Sequence, residues 1–433
     1  MAKQLLKLKC SNSKCALRED VYSGSMQWIT VVMTVLCVVF LFSGTVRADN
    51  PFDSGSYPVG WWTTMDPNSV VDVYYAGGNT ILAYWGSAAP SSRHQFLNEA
   101  AAGDIRVIME VDPVLIANGD AAGIRNLVST YDDYPAVAGW STGDEPYWMG
   151  GLTLSKMQIA YDAIKMESTK PVVICFSEPA VERGIPYDWR SAYDQFLIDS
   201  YPARVGEAEF SRLDTKWKLD MQNALSQSLL ADRPWWSVMQ GWGKAVGEET
   251  SDHRLPTFNE TRFMNYYSLS KDATGLLQYV YYRNKLTPAQ PDEAYPYDGP
   301  TWFDEVWTPL AAEINTIGMS LQNGKLSGAA SDDTPDVRTD VYYDPDTGKY
   351  YMVAMNETTG SETTTFTVDL DPPGEKLILA TPLFEGARPV IPFVGTQFSD
   401  EFSDYEVHVY ELMTMLLGDA NGDGVVSADD YAS

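Results

Sequence analysis

The stretch "GWSTGDEPYW", Gly139 to Trp148, ends an apolar run with two adjacent carboxylates, Asp144 and Glu145, set against a proline. Read alone, it has two meanings. Asp144 suits the N-cap of a helix, where a side-chain oxygen accepts free N–H groups of the first turn and a nearby proline is tolerated. Glu145 would then be a helix-dipole partner. In the other meaning, the pair closes a buried strand and presents carboxyl groups to a site. The pattern around the stretch decides between them.

From residue 59 to about 325, short apolar runs alternate with amphipathic segments. The runs are "GWWTTM" (60–65), "TILAYWG" (80–86), "IRVIMEV" (105–111) and "AVAGWST" (136–142), then "PVVICFS" (171–177), "QFLIDSY" (195–201), "WWSVMQG" (235–241) and "GLLQYVYY" (275–282). Each is rich in β-branched or aromatic residues. Most do not alternate polar with apolar, as expected of strands covered on both faces. Segments with helical spacing fill the gaps. "SSRHQFLNEAAAG" opens with capping serines, and "LTLSKMQIAYDAIKMES" and "FDEVWTPLAAEINTIGMSLQNG" keep apolar residues on one face. Eight such units in roughly 270 residues predict an α/β protein, a (β/α)8 TIM barrel spanning 49–330. A doubly wound open sheet is the structural alternative. No glycine-rich phosphate turn follows the first strand, which counts against it as a nucleotide-binding fold.

The texture changes after residue 335. "DVYYDPDTGKYYMVAMNETTG" reads as a hairpin, with two aromatic-rich runs around Asp-Thr-Gly. "ETTTFTVDL", "EKLILATPL" and "YEVHVYEL" add strands. A C-terminal antiparallel β domain, sandwich-like, is expected over 335–414, covering the barrel.

The first 48 residues read as a secretory leader. Lys3, Lys7, Lys9, Lys14 and Arg18 precede an uncharged run from Trp28 to Phe42, and Val46 and Ala48 suit a cleavage site. A membrane anchor is the alternative, but the run is about 15 residues where a span needs about 20. The formal net charge is −29, and it becomes more negative without the basic leader. Such a surface repels nucleic acid and anionic membranes. Cys10, Cys15 and Cys37 lie in the leader, so only Cys175 remains and no intrachain disulfide can form. With 45% hydrophobic residues, the secreted fold is expected to stand on its core alone. His94, His253 and His408 are far apart, which disfavours zinc and serine–histidine chemistry.

In such a barrel the active site lies at the C-terminal ends of the strands. Those ends supply Trp61 and Trp62, Tyr84 and Trp85, Glu110 and Asp112, then Trp140, Asp144 and Glu145. Glu178 follows from strand five, Asp199 and Tyr201 from strand six, Gln240 and Trp242 from strand seven, and Tyr281, Tyr282 and Arg283 from strand eight. Flat rings stack on the apolar faces of sugars, and carboxylates and amides bind hydroxyls. Two carboxyl groups are what glycosidic cleavage requires: one protonates the leaving oxygen, the other acts as nucleophile or base. The candidate catalytic residues are therefore Glu145, Asp199 and Glu178. The candidate sugar-binding residues are Asp144, Trp62, Trp85, Trp140, Tyr201, Gln240 and Trp242. Each has a structural alternative: the tryptophans as packing at the barrel mouth, Glu110 as an inward residue in a salt bridge.

A barrel with Glu before Pro at strand four, followed by a β domain, resembles the large (β/α)8 glycoside hydrolase clan of retaining enzymes. The clan's strand-four motif is Asn-Glu-Pro, and its Glu is the general acid/base. The resemblance gives that role to Glu145 and puts Asp144 where the Asn contacts the sugar 2-hydroxyl. The clan's nucleophile is a Glu ending strand seven, where this chain has Gln240 in "SVMQGWG". Three readings stay open: another partner carboxylate (Asp199, Glu178 or Glu110), an inverting reaction, or a barrel that binds sugar without turnover. An acid pair on strands four and six resembles the α-galactosidase-like arrangement, which puts Asp199 first among partners.

The chain closes with "GDANGDGVVSADDYAS". Asp419, Asn421, Asp423, Ser427 and Asp430 occupy positions 1, 3, 5, 9 and 12 of a calcium loop, Gly424 the turn position and Val425 the backbone-carbonyl position. The string resembles the first calcium repeat of a type I dockerin, here over 418–433, although Asp stands at the last position in place of Glu. A dockerin carries such loops in duplicate, so a partial module is expected. The resemblance implies Ca²⁺ as ligand and a cohesin or cell-surface scaffold as partner.

Overall fold

The computed structural model describes residue 52 and residues 55–86, 88–148, 152–244, 252–281, 298–370 and 375–416. The expected leader at 1–48 and the expected calcium loop at 418–433 lie outside the described residues. Among the described residues no helix is long and apolar enough to cross a membrane.

Eight parallel strands close into a barrel in chain order. They are β1 (Val59–Thr64), β2 (Thr80–Tyr84), β3 (Arg106–Glu110) and β4 (Val137–Asp144), then β5 (Val172–Ser177), β6 (Gln195–Asp199), β7 (Trp235–Gln240) and β8 (Leu276–Tyr279). The ring closes where Val59 of β1 pairs with Leu276 of β8. Between strands run α1 (Pro67–Tyr75), α2 (Pro90–Ala102), α3 (Pro113–Asn118), α4 (Ala121–Tyr131), α5 (Leu154–Glu167), α6 (Glu178–Glu182) and α7 (Ile185–Trp189). Further on come α8 (Lys218–Ala231), α9 (Phe258–Ser270), α10 (Gly299–Trp302) and α11 (Thr308–Asn323). Local chemistry sets several starts. Asp66, Asp112 and Asp120 cap α1, α3 and α4 through their carboxylates. Thr257 and Glu260 form a reciprocal capping box on α9. The expected serine cap of α2 is absent: Ala89 holds the cap position and Pro90 starts the helix, because proline has no N–H to satisfy there.

The strands separate two cores. Phe196 and Ile198 of β6 pack outward against the helices, while Leu197 joins Leu82, Ile108, Val173, Trp236 and Leu277 inside. This period-two alternation under cover on both faces is why the runs looked uniformly apolar. Phe52 belongs to the inner core and packs against Trp236, the ring centroids 4.8 Å apart and the planes tilted by 50°. Gly139 must be glycine, since a Cβ there would lie 2.7 Å from the Phe52 ring. Cys175 is a buried free thiol inside the barrel. At about 25 cal/mol per Å² and roughly 200 Å² per ring, a fully buried tryptophan contributes on the order of 5 kcal/mol before entropy is subtracted. Rings such as Trp61, Trp140, Trp235 and Trp307 thus contribute heavily to a core whose one described cysteine, Cys175, is free.

The C-terminal strands form two antiparallel sheets. β9 (Lys325–Leu326), β11 (Val337–Asp344), β12 (Lys349–Asn356), β14 (Glu375–Leu383), β15 (Ile391–Pro392) and β17 (Val407–Leu416) make one, in the order β15-β14-β17-β12-β11-β9. β10 (Ala330–Asp332), β13 (Glu362–Val368) and β16 (Gln397–Phe402) make the other. The expected hairpin is β11–β12, with Asp344 opposite Lys349 at the turn. Arg262 of α9 joins this region to the barrel: its Nη1 donates to the Val407 carbonyl at 2.5 Å and its Nε to Glu313 of α11 at 3.0 Å.

Candidate active site

The site grows from an irregularity in β4. Ser141 pairs with Val173 of β5, but the next pairing is Asp144 with Cys175, so β4 carries one extra residue. Gly143 at φ 149° and Glu145 at φ 45° take up the distortion. In a regular strand, neighbouring side chains face opposite sides. A bulge followed by a left-handed residue re-aims them, and here both carboxyls come to the mouth of the barrel. A non-glycine residue in that region costs on the order of 1 kcal/mol or more, which surrounding structure must offset. Two bonds do so: the Glu145 N–H donates to the Cys175 carbonyl at 3.0 Å, and the Trp148 N–H donates to the Glu145 carbonyl at 2.9 Å. Asp144 is therefore a strand end and not a helix cap.

Four carboxyl groups from three consecutive strands meet here. Burial, then the charges of Asp144 and Glu178, push Glu145 up to about 7, while a hydrogen bond from Ser177 pulls the other way. Burial also raises Asp144, whose Oδ2 accepts the Tyr84 hydroxyl at 2.7 Å. Asp199 ends β6 in register with Ser177 of β5. Burial and the charges of Glu145, Asp144 and Glu178 lift its pKa well above the usual carboxylate range, against a hydrogen bond from Tyr201. Its Oδ1 is buried without a hydrogen-bond partner among the described residues. Glu178 differs, because Lys216 forms an ion pair with it and also reaches Asp220 at 3.2 Å. The Ser200 hydroxyl donates to that same Asp220 at 2.6 Å. Glu178 is thus tied to Lys216, whereas Asp199 has no ion-pair partner among the described residues. With strands about 4.8 Å apart, β4 and β6 lie about 10 Å apart along the wall.

The aromatic expectations divide. Tyr201 stacks on Tyr279 at 5.5 Å and meets Trp242 edge-on at 5.9 Å, so these belong to the mouth. Trp62 faces the barrel interior, packed against Tyr84 and Tyr279, and is fully buried. Trp85 carries the Arg93 guanidinium over its ring at 3.5 Å, and its N–H donates to Glu110 at 2.8 Å. Trp140 does not line the mouth: it packs in the outer core, and its indole donates to Asp132 at 2.9 Å. One position of alternation separates it from the inward face. Gln240 is no open sugar contact either. Its amide nitrogen donates to the carbonyls of Ala203, Trp242 and Arg254, and its oxygen accepts the Ala203 N–H at 2.8 Å. It ties the loops after β6 and β7 together. Glu110 faces inward as expected but without a salt bridge among the described residues; burial pushes it up to about 7.

Some participants were not foreseen. Strand eight ends at Tyr279, so Tyr281 turns outward, where its hydroxyl donates to Asp72 at 2.5 Å. Tyr279 sits at the mouth instead, two residues beyond the inward Leu277, just as Tyr84, expected at the end of strand two, stands two beyond the inward Leu82. Counting by two from Leu277 finds Tyr279. Ser177 and Lys216 carried no local signal. Tyr147 and Trp148, 38% and 49% exposed, follow Glu145 by two and three residues in the chain.

The arrangement can donate a proton from one carboxyl group and place a second across one strand, under rings suited to sugar faces. Among the described residues no cluster suited to a metal ion occurs. No protein-family model and no curated protein matches the chain. Solved structures do. A GH27 β-L-arabinopyranosidase from Geobacillus stearothermophilus is similar at a TM-score of 0.54 and 11% identity, over 84% of this chain and 97% of that one. A glycoside hydrolase of family 5 from Bacteroides vulgatus is similar at a TM-score of 0.55 and 12% identity, over 88% and 97%. An Anoxybacillus α-amylase is similar at a TM-score of 0.52 and 10% identity, over 84% and 98%. At these identities the likeness is one of fold: a barrel followed by antiparallel sheets.

Proposed function

We propose that the chain is a secreted glycoside hydrolase cleaving O-glycosidic bonds of a poly- or oligosaccharide, with Glu145 as general acid and Asp199 as the second carboxylate. The observation that carries this is the juxtaposition of two carboxyl groups at the ends of β4 and β6, both raised by burial and by neighbouring negative charge. Protonated Glu145 donates to the leaving oxygen. Asp199, in its ionised form, attacks the anomeric carbon or takes the proton of an attacking water. Asp144, held by Tyr84, is placed for a sugar hydroxyl. The fold shared with three glycoside hydrolases supports the same reading.

A second reading rests on Gln240: a scaffold-docked, sugar-binding barrel that lost its strand-seven nucleophile. The test is a hydrolysis screen over plant and algal polysaccharides with the wild type, Glu145→Gln and Asp199→Asn. General acid–base groups contribute about 10²- to 10⁴-fold, so each variant should fall by at least that order on cleaved substrates. Equal activity in wild type and Glu145→Gln would sink the acid role. Binding without cleavage by any of the three would favour the second reading. The leader at 1–48 and the loop Asp419–Asp430 extend the proposal to export and calcium-dependent docking on a cohesin-like scaffold. Calorimetric titration of Ca²⁺ into the chain with and without 418–433 checks that part.

A further inference from the structure

Arg93, at the start of α2, is a cation without a counterion. It is 8% exposed, yet among the described residues its side chain has no ion pair and its Nε has no hydrogen-bond partner. Buried arginines are ordinarily paired. The chain has 59 acidic and 30 basic side chains, so carboxylates are not in short supply. What Arg93 has is the Trp85 ring, which its guanidinium covers at 3.5 Å. That face of the indole is closed to a sugar and holds the cation in place. The outer nitrogens, Nη1 and Nη2, are neither shut off from solvent nor hydrogen-bonded among the described residues. A second feature lies at the same place. Ala89 holds the N-cap of α2 and has no side-chain oxygen, so no cap bond forms. The N–H groups of Ser91 and Ser92 are the donors such a bond serves. Neither has an acceptor among the described residues. Helical side chains lean towards the N-terminus, which brings Arg93 back over this turn and onto Trp85.

We infer that Arg93 and the uncapped first turn of α2 bind the oxyanion of an acidic sugar, a carboxylate or a sulfate ester, and that the substrate is an acidic polysaccharide. The fork of a guanidinium matches two oxygens of such a group. A helix N-terminus favours negative charge through its free N–H groups. The place adjoins the candidate active site. Trp85 follows Tyr84, whose hydroxyl donates to Asp144 at 2.7 Å, and the Trp85 N–H donates to Glu110 at 2.8 Å. Because α2 follows β2, it begins on the side where the strands end. The net charge of −29 opposes a polyanion elsewhere on the surface, so binding of one should depend steeply on this contact. The anion site rests on the geometry alone; its assignment to a substrate rests on the glycoside hydrolase reading.

Calorimetric titration of the full chain tests both halves. The probes are tetragalacturonate, tetramannuronate, their carboxyl-reduced neutral counterparts, a κ-carrageenan tetrasaccharide and inorganic sulfate. Wild type should bind an acidic oligosaccharide about tenfold or more tightly than a neutral one, as a charge-assisted contact implies. Preference for the uronates or for the carrageenan tells carboxylate from sulfate ester. Arg93→Gln should abolish the preference, and Arg93→Lys, which keeps the charge without the fork, should retain part of it. Urea unfolding of both variants checks the fold, and the wild-type comparison of acidic with neutral sugars needs no variant. Equal or absent binding of acidic and neutral sugars overturns the site, as does a preference that survives Arg93→Gln. Sulfate bound as tightly as the acidic oligosaccharides overturns the substrate assignment. Hydrolysis is followed in parallel. Cleavage confined to neutral glycans and unaffected by Arg93→Gln overturns the inference and leaves the glycosidase reading standing. Acidic-sugar binding that needs Arg93, with no cleavage by the wild type, overturns the glycosidase reading and leaves the anion site standing.

Discussion

The Glu145 N–H donates to the Cys175 carbonyl at 3.0 Å, one residue beyond the point where β4 slips its register against β5. That bond clamps a left-handed residue between two strand ends and turns two adjacent carboxyl groups to one side.

The bulge therefore has a testable weight. Gly143 sits at φ 149°, where an L side chain is strained by about 1–3 kcal/mol. Gly143→Ala should lower unfolding free energy by that order in urea. Under the proposed function, activity should fall further than the lost stability explains, because Asp144 and Glu145 both move. A variant with normal activity would show that the bulge is not what aims them.

The acid limb of catalysis has a sign. Glu145 must carry its proton, and its folded pKa is about 7. Under the proposed function, activity should be lost as pH rises through that value, giving a basic limb of kcat/KM near neutrality. The need for ionised Asp199, whose pKa is raised, adds an acid limb where that carboxyl group takes up its proton. Removing a neighbouring negative charge with Glu178→Gln makes ionisation easier, so the basic limb should move to lower pH. A limb that stays in place in a pH–rate profile would contradict the electrostatic role of Glu178.

Gln240→Glu offers the clearest contrast with a lost nucleophile. The new carboxylate would face the carbonyl oxygens of Ala203, Trp242 and Arg254, which the amide nitrogen now satisfies. Each orphaned buried group costs about 1–3 kcal/mol. Thermal and urea unfolding should show a loss of several such units, with no gain in hydrolysis. A stable, more active variant would restore the strand-seven nucleophile as a serious reading.

Glu110 ties stability to pH. Its pKa is raised from 4.5 to about 7 in the fold. The folded state holds the proton longer than the unfolded chain, so stability is full below pH 4.5 and declines as pH rises towards 7. At 1.36 kcal/mol per unit, the decline approaches about 3 kcal/mol. Glu110→Gln keeps an oxygen for the Trp85 N–H and removes the charge. It should stabilise the protein at pH 8 and do little at pH 4, read from urea midpoints at the two values.

Much of the fold was legible because its signals are local. Eight apolar runs, proline and aspartate at helix starts and the Asp-Thr-Gly turn each speak for their own few residues. The barrel and the hairpin of β11 and β12 follow from these. Side-chain direction at strand ends was less legible. The expected strand 275–282 runs three residues past the end of β8 at Tyr279, which puts Tyr281 in place of Tyr279. Trp140 was assigned to the mouth although it lies one position out of phase. Ser177 and Lys216 act on Glu145 and Glu178 from other elements, and no spacing within one segment reports that.

Sequence alone determined the alternation of strands and helices and the presence of acids and rings at the strand ends, since hydrophobic period and residue chemistry are properties of short segments. Tertiary structure decided which carboxyl groups come together. The β4 slip brings Asp144 and Glu145 to one side, Lys216 holds Glu178, and Asp199 stays buried beside Glu145. Gln240 is closed off by carbonyls from loops far away in the chain. Charge, burial and hydrogen bonding at a site are sums over groups distant in sequence, so they exist only once the barrel has closed.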